Sequence, residues 1–150
     1  MKIEEAIKQS TFKNGVQKAL VNLVYTGNWL RDIHEKTFKA FDILPQHFNV
    51  LRILKGKHPN PVSPGEIKEV MLDKGHDLTR LLDKLVKQGL VNRKTCSENR
   101  RKIDITLTEK GLSKLEEMNK NLDNNTLPIN HHISEKEALL LSDLLDKLRG

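Results

Sequence analysis

The side chains with chemistry to offer in this sequence are mostly cations, and they cluster. Arg80 and Lys84 are spaced i, i+4, which on a helix places both on one face. Lys74, His76, Asp77 and Thr79 precede or flank them, and Arg93, Lys94, Asn99, Arg100 and Arg101 follow. A cationic helix face with polar groups in its first turn suits a polyanion, because backbone N–H groups at a helix start hold phosphates and side chains there reach base edges. Each charge also fits a plainer role. Arg80 and Lys84 suit a solvated helix face, and Arg101 has Asp104 and Glu98 within reach of cross-hairpin pairing. Catalysis is not expected. No Gly-rich phosphate loop, metal-ligand set or nucleophile–base pair stands out, and no cofactor is called for. His131-His132 is adjacent rather than at helical ligand spacing, which argues against zinc.

The whole-chain charge agrees with the cluster. The sequence has 150 residues, 26 Lys plus Arg and 20 Asp plus Glu, a formal net charge of +6. Residues 44–110 hold 14 of the basic and 8 of the acidic residues, so the whole excess lies there. A local basic stretch between neutral flanks is the electrostatic footprint of a polyanion-binding centre. The six aromatics, Phe12, Tyr25, Trp29, Phe38, Phe41 and Phe48, all fall in the first third of the chain. A platform that stacks single-stranded bases interleaves aromatics with cations, so the expected polyanion is a duplex.

Elements to carry these residues follow from periodicity. Residues 2–41 read as helix, with Asn14-Gly15 as a possible break and Gly27 a weak point. A helix from Pro45 puts Phe48, Leu51 and Leu54 on one face and stops at Lys55-Gly56-Lys57 before the loop His58-Pro59-Asn60-Pro61. Ser63-Pro64-Gly65-Glu66 is a capping box opening a short helix through Met71, with Ile67, Val70 and Met71 inward. After Lys74-Gly75-His76, a helix over 77–88 buries Leu78, Leu81, Leu82, Leu85 and Val86, and Gly89 supplies its left-handed cap. Val91–Thr95 and Lys102–Leu107 alternate as half-buried strands around a polar tip at 96–101. Thr108 caps a helix to about Asp123 with Leu112, Leu115, Met118 and Leu122 as its stripe, followed by a loop through Pro128. Ser134-Glu135-Lys136-Glu137 opens a last helix with a broad leucine face.

Three helices and a two-stranded hairpin over 44–107 give a winged helix-turn-helix order. The fold class expected is therefore mainly α with a small β-hairpin wing, its core flanked by N- and C-terminal helices. The third core helix suits the major groove, and Arg100 and Arg101 in the wing suit a narrow minor groove, with Arg93 and Lys94 on the backbone. We divide the chain into an N-terminal helical region, 1–43, a core, 44–110, and C-terminal helices, 111–150, within one structural domain. The flanking helices carry more apolar surface than a core of this size covers. Ile3, Ile7, Leu112, Leu115, Leu144, Leu145 and Leu148 are expected at a two-fold interface, or alternatively in an antiparallel bundle closed within one chain.

Three stretches resemble the MarR (multiple-antibiotic-resistance regulator) family: Leu44-Pro45-Gln46-His47-Phe48-Asn49-Val50-Leu51, then Asp73-Lys74 to Leu85-Val86-Lys87-Gln88-Gly89-Leu90-Val91, then Glu98-Asn99-Arg100-Arg101 to Leu107-Thr108-Glu109-Lys110-Gly111. The resemblance implies a homodimer on a pseudo-palindromic duplex operator, generally a repressor, with the wing-tip arginine, here Arg101, in the minor groove. It also implies release by a small aromatic or phenolic effector. Trp29, Ile33, His47 and Phe48 are the residues here that could line its pocket, although core packing explains Trp29 and Phe48 equally. The family usually has Asp two residues before the wing arginine. Asn99 stands there instead, and it can hydrogen-bond but not form the ion pair.

Cys96, the single cysteine, lies among Arg93, Lys94, Arg100 and Arg101, where positive potential favours thiolate. A thiol-sensing role is thus one alternative and an inert exposed thiol the other. A winged-helix module that binds protein is the alternative from a different class. No apolar run approaches the roughly 20 residues of a membrane span, and the start lacks a signal-peptide pattern, so a cytoplasmic protein with no membrane partner is expected.

Overall fold

In the computed structural model the residues described are 1–95, 99, 102–130 and 132–150, with 126–128 and 130 described by backbone alone. The chain falls into two compact units, Met1–Pro45 and Gln46–Gly150.

In the first unit, α1 is one turn, Ile3–Ala6, and α2 runs Gly15–Lys39. The helical stretch expected over 2–41 is broken at Asn14-Gly15, the possible break, because Asn14 caps α2. Its side chain accepts from the Gln17 N–H at 2.9 Å, while Gln17 Oε1 accepts from the Lys13 N–H at 2.7 Å. An ion pair between Lys18 and Glu4 ties α1 to the first turns of α2, and it holds the Glu4 carboxyl below its ordinary range. Gly27 sits inside α2 without interrupting it. Within α2 only Thr37 and Phe38 are buried, and Thr37 Oγ1 donates to the Ile33 carbonyl at 2.8 Å. The apolar residues Leu20, Leu23, Val24 and Trp29 of α2 are exposed.

The second unit contains α3 (Pro45–Lys57, its first residue shared with the boundary), α4 (Pro64–Val70), α5 (Leu78–Lys87), strands β1 (Val91–Thr95) and β2 (Ile103–Leu107), α6 (Glu109–Asn130) and α7 (Glu135–Arg149). Val50, Leu51 and Leu54 of α3, Ile67 of α4, Leu82 and Leu85 of α5, Ile105 of β2 and Met118 of α6 form its buried set. The two strands pair antiparallel from Val91↔Leu107 to Thr95↔Ile103. Val62 adds a bridge to Ile105, each N–H donating to the other's carbonyl at 2.9 Å. Proline on one side and a helix cap on the other hide Val62 from any strand pattern.

Several expectations need correction. Val70 and Val86 are exposed rather than inward, because α4 and α5 each turn a narrower stripe to the core than their apolar residues span. β1 does not alternate in burial: only Val91 is covered. α6 does not stop near Asp123 but continues through Pro128 to Asn130, since the low helix propensity of its Asp, Asn and Thr residues is a weak prior that context overrides. Ile3 and Leu115 are buried within the chain.

Candidate nucleic-acid interface

The turn before α5 and the strand after it set out the expected contact residues. Asp77 is the N-cap of α5, its Oδ1 accepting from the N–H groups of Thr79 at 3.0 Å and Arg80 at 3.4 Å. Because the cap residue is spent on the backbone, the Arg80 guanidinium leans back over it, Nε 3.5 Å from Asp77 Oδ2, with its side chain 88% exposed. An exposed pair of this kind contributes little to folding and leaves Arg80 available. Thr79 and Lys74 are exposed, and Lys84 is half-buried.

The turn itself is held from α3, which sequence patterning did not reveal. Asn49 Oδ1 accepts from the Leu72 N–H at 3.0 Å, and Gln46 donates to Asp73. Asp73 Oδ1 accepts from the Gly75 N–H at 2.9 Å, and Oδ2 lies 3.0 Å from His76 Nδ1. The Gly75 N–H, followed by the neighbouring imidazole, holds the Asp73 carboxyl below its ordinary range. Asn49 and Asp73 are polar residues at unremarkable spacing, so only the fold shows that they meet the same turn.

The wing is attached to α5 from the middle of β1, and the residues after β2 bond the segment leaving α5. Arg93 Nη1 lies 2.8 Å from Asp83 Oδ1, joining the middle of β1 to the exposed side of α5. The expectation that Arg93 simply flanks the tip is therefore incomplete: in the free chain its charge is matched by Asp83. After β2, Thr108 Oγ1 donates to the Gly89 carbonyl at 2.7 Å, the Thr108 N–H to the Leu90 carbonyl at 3.1 Å, and Lys110 Nζ to the Gln88 carbonyl at 2.8 Å. Gly89 has φ +72°, the left-handed cap expected of it. Lys94 sits exposed opposite Asp104 in the register. Asn99 is exposed, and its carbonyl accepts from the Lys102 N–H at 2.8 Å. Arg100, Arg101 and Cys96 lie outside the described residues.

Of the residues assigned to an effector, Trp29 is exposed and Ile33 half-buried in the first unit, whereas His47 and Phe48 are buried in the second. Arg52 stacks its guanidinium carbon 5.9 Å from the Phe48 ring centre. Among the described residues no group of three His, Cys, Asp or Glu is placed to hold a metal ion, and no helix is long and apolar enough to cross a membrane.

Three short helices closed by an antiparallel hairpin, with the third helix and hairpin fastened together, define a winged helix-turn-helix protein. A family model described as the MarR family matches residues 41–102. Over 91% of this chain and 98% of the other, the fold matches the crystal structure of a MarR transcription factor from Planctomyces limnophilus, at 29% identity and TM-score 0.71. A mutant MarR from E. coli complexed with operator DNA matches over 93% and 99% of the respective chains, at 26% identity and TM-score 0.74. A MarR-like transcription regulator from Bacillus cereus ATCC 10987 shares the fold at 20% identity and TM-score 0.76, over 88% and 94%. Residues 41–102 thus match the MarR family model, and nearly the whole chain is similar to MarR transcription factors of known structure.

Proposed function

We propose that this protein is a homodimer that binds a pseudo-palindromic duplex operator in a sequence-specific way, acts as a repressor in the cytoplasm, and is released by a small aromatic or phenolic ligand. The observation that carries the DNA reading is the exposed first turn of α5. There Arg80, Thr79, Asp77 and His76 face solvent beside a wing whose strand is fixed to the same helix through Asp83 and Arg93. That is the arrangement in which one helix enters the major groove while the hairpin reaches the neighbouring backbone or minor groove. The operator complex of the E. coli relative, which this chain matches along nearly its whole length, supports it.

In this reading Arg80, Thr79, Asp77 and His76 meet base edges and nearby phosphates, Lys74, Lys84, Arg93 and Lys94 meet the backbone, and Arg100, Arg101 and Asn99 belong to the wing tip. Regions 1–43 and 111–150 supply the dimer contacts around the 44–110 core. Support for the dimer comes from α7, in which no residue is buried although it carries Leu139, Leu140, Leu141, Leu144 and Leu148. A two-fold partner would place two α5 helices about 34–36 Å apart, one duplex turn. For the effector, the exposed indole of Trp29 supplies a surface for an aromatic ligand.

Selection of random duplex DNA by the purified protein at 50 and 200 mM salt tests the function. An inverted repeat with half-sites one turn apart, bound orders of magnitude more weakly at the higher salt, is the expected result. Absence of any enriched sequence, with capture of proteins insensitive to salt, would overturn it in favour of a protein-binding winged helix.

A further inference from the structure

The turn that leads into α5 is anchored in the core at its two ends and nowhere between them. Met71 and Leu78 are buried, whereas none of the residues from Leu72 to Asp77 is, and Leu72 is 90% exposed. Apolar packing therefore sets where the turn leaves and re-enters the core, and its course in between is left to polar bonds. Those that reach it from another element come from α3. Gln46 and Asn49 are spaced i, i+3, on one face of that helix. Asn49 Oδ1 accepts from the Leu72 N–H at 3.0 Å, and Gln46 donates to the Asp73 carboxylate. Asp73 accepts in turn from the Gly75 N–H at 2.9 Å, and Asp77 caps α5. The Leu72 bond is the first of a series that ends in the first turn of α5.

We propose that Asn49 is a positioning residue for sequence readout: by holding the Leu72 N–H it fixes the approach of α5 to the duplex, so its loss removes discrimination between sequences rather than affinity for DNA. The inference rests on the reading of α5 as the helix that enters the major groove. The bond itself lies at the surface. Water can replace the lost acceptor there, so folding depends little on it. Its position is what gives it weight. Hydrogen bonds to base edges are directional and weaken steeply when a donor is misplaced, so they need α5 at one fixed depth and angle. Attraction between cations and phosphates changes only gradually with distance and tolerates a shifted helix. A turn released from α3 has to be ordered again before base edges can be read. That cost falls on the preferred sequence and not on duplex held by its backbone alone.

The test compares two duplexes of equal length and base composition at one ionic strength. One is the sequence the parent enriches from a random pool, and the other is its scrambled version. The ratio of their Kd values is measured for the parent, Asn49→Ala and Asn49→Asp. Amide hydrogen exchange is followed at Leu72 and at Leu82, which lies buried in α5 and reports overall stability.

Asn49→Ala should lower the ratio about three- to tenfold, the effect of one net hydrogen bond, with affinity for the scrambled duplex unchanged. Leu72 should exchange faster in that variant and Leu82 should not. Asn49→Asp keeps the acceptor. Its added charge weakens binding of both duplexes alike, so its ratio should stay at the parent's value. An unchanged ratio in Asn49→Ala, or equal loss on both duplexes, would overturn the inference alone. So would a ratio that falls only together with faster exchange at Leu82, which marks a structural role, or one that Asn49→Asp fails to restore. Enrichment of no sequence by the parent would overturn the DNA reading and the inference with it.

Discussion

Gly111 and Leu90 meet so closely that no other residue type fits: a Cβ on Gly111 would stand 2.1 Å from the Leu90 carbonyl oxygen and 3.0 Å from its carbon. The contact joins the start of α6 to the segment leaving α5, where Thr108 also bonds Gly89 and Leu90. Thr108 Oγ1 accepts from the Gly111 N–H at 2.9 Å, so one hydroxyl caps the new helix and fastens it to the old one. This is the physical content of the Thr108-Glu109-Lys110-Gly111 motif. The wing leaves α5 and returns to it at nearly the same place.

Gly111→Ala should therefore destabilise the second unit by about 1–3 kcal/mol, the range for forced overpacking, or more if the backbone cannot yield. Urea unfolding should show a lower midpoint with the same slope. Gly65→Ala is the control, since its Cβ would meet no atom closer than 4.0 Å.

Arg93 and Asp83 should be energetically coupled. The pair is partly exposed, so a double-mutant cycle with Arg93→Ala and Asp83→Ala should give a coupling of about 0.2–1 kcal/mol in stability. Duplex affinity should fall in both single variants, including Asp83→Ala, although that change removes a negative charge. Pure charge counting predicts the opposite sign for Asp83→Ala, so tighter binding by that variant would show that the pair does not position the wing.

Arg80→Ala should cost about 1–3 kcal/mol in operator affinity and relax base preference, whereas Lys94→Ala should weaken binding evenly across sequences and shallow the salt slope by about one. Arg101→Ala should also weaken binding evenly. Competition titrations with point-mutated duplexes separate these outcomes.

Leu144→Glu together with Leu148→Glu should yield monomer in sedimentation equilibrium, with helix content retained in circular dichroism. Those side chains are about half exposed on α7, at 55% and 47%, so the substitutions spare the chain's own core. Duplex affinity should drop with the loss of the second recognition helix.

Acid should loosen α4 and α7 first. In both capping boxes the Glu carboxylate accepts from its serine: Glu66 from the Ser63 hydroxyl at 2.6 Å and N–H at 2.8 Å, and Glu137 from the Ser134 hydroxyl at 2.6 Å and N–H at 2.9 Å. These bonds, the hydroxyl first, hold both carboxyls below their ordinary range. A depressed folded-state pKa contributes stability above the unfolded value that is lost as pH falls through the folded one. Stability should thus decline below the ordinary glutamate value of about 4.3. Ser63→Ala should flatten that part of the acid limb and cost about 1 kcal/mol at neutral pH. Chemical denaturation across pH 3–7 measures both.

Local chemistry made much of this protein legible in its sequence. Ser63 and Ser134 cap because a short polar side chain followed by helix-forming residues satisfies free N–H groups without help from afar. Leu78, Leu81, Leu82 and Leu85 recur with the period of a helix and are buried with it, and Gly89 adopts the positive φ that its place after the last turn demands. The cationic order along α5 and the wing is likewise sequence-local, and so is the family resemblance it carries.

Relationships between distant residues were decided only by packing. Asn49 bonding Leu72, Gln46 meeting Asp73, Arg93 matched to Asp83 and Val62 bridging Ile105 all join positions with no periodic relation. The exposure of Val70 and Val86, the burial of Ile3 and Leu115, and the extension of α6 through Pro128 depend on which neighbours cover each surface. A sequence pattern shows that a residue prefers cover. Only the tertiary structure decides whether a given chain provides it, because cover comes from elements far away in sequence.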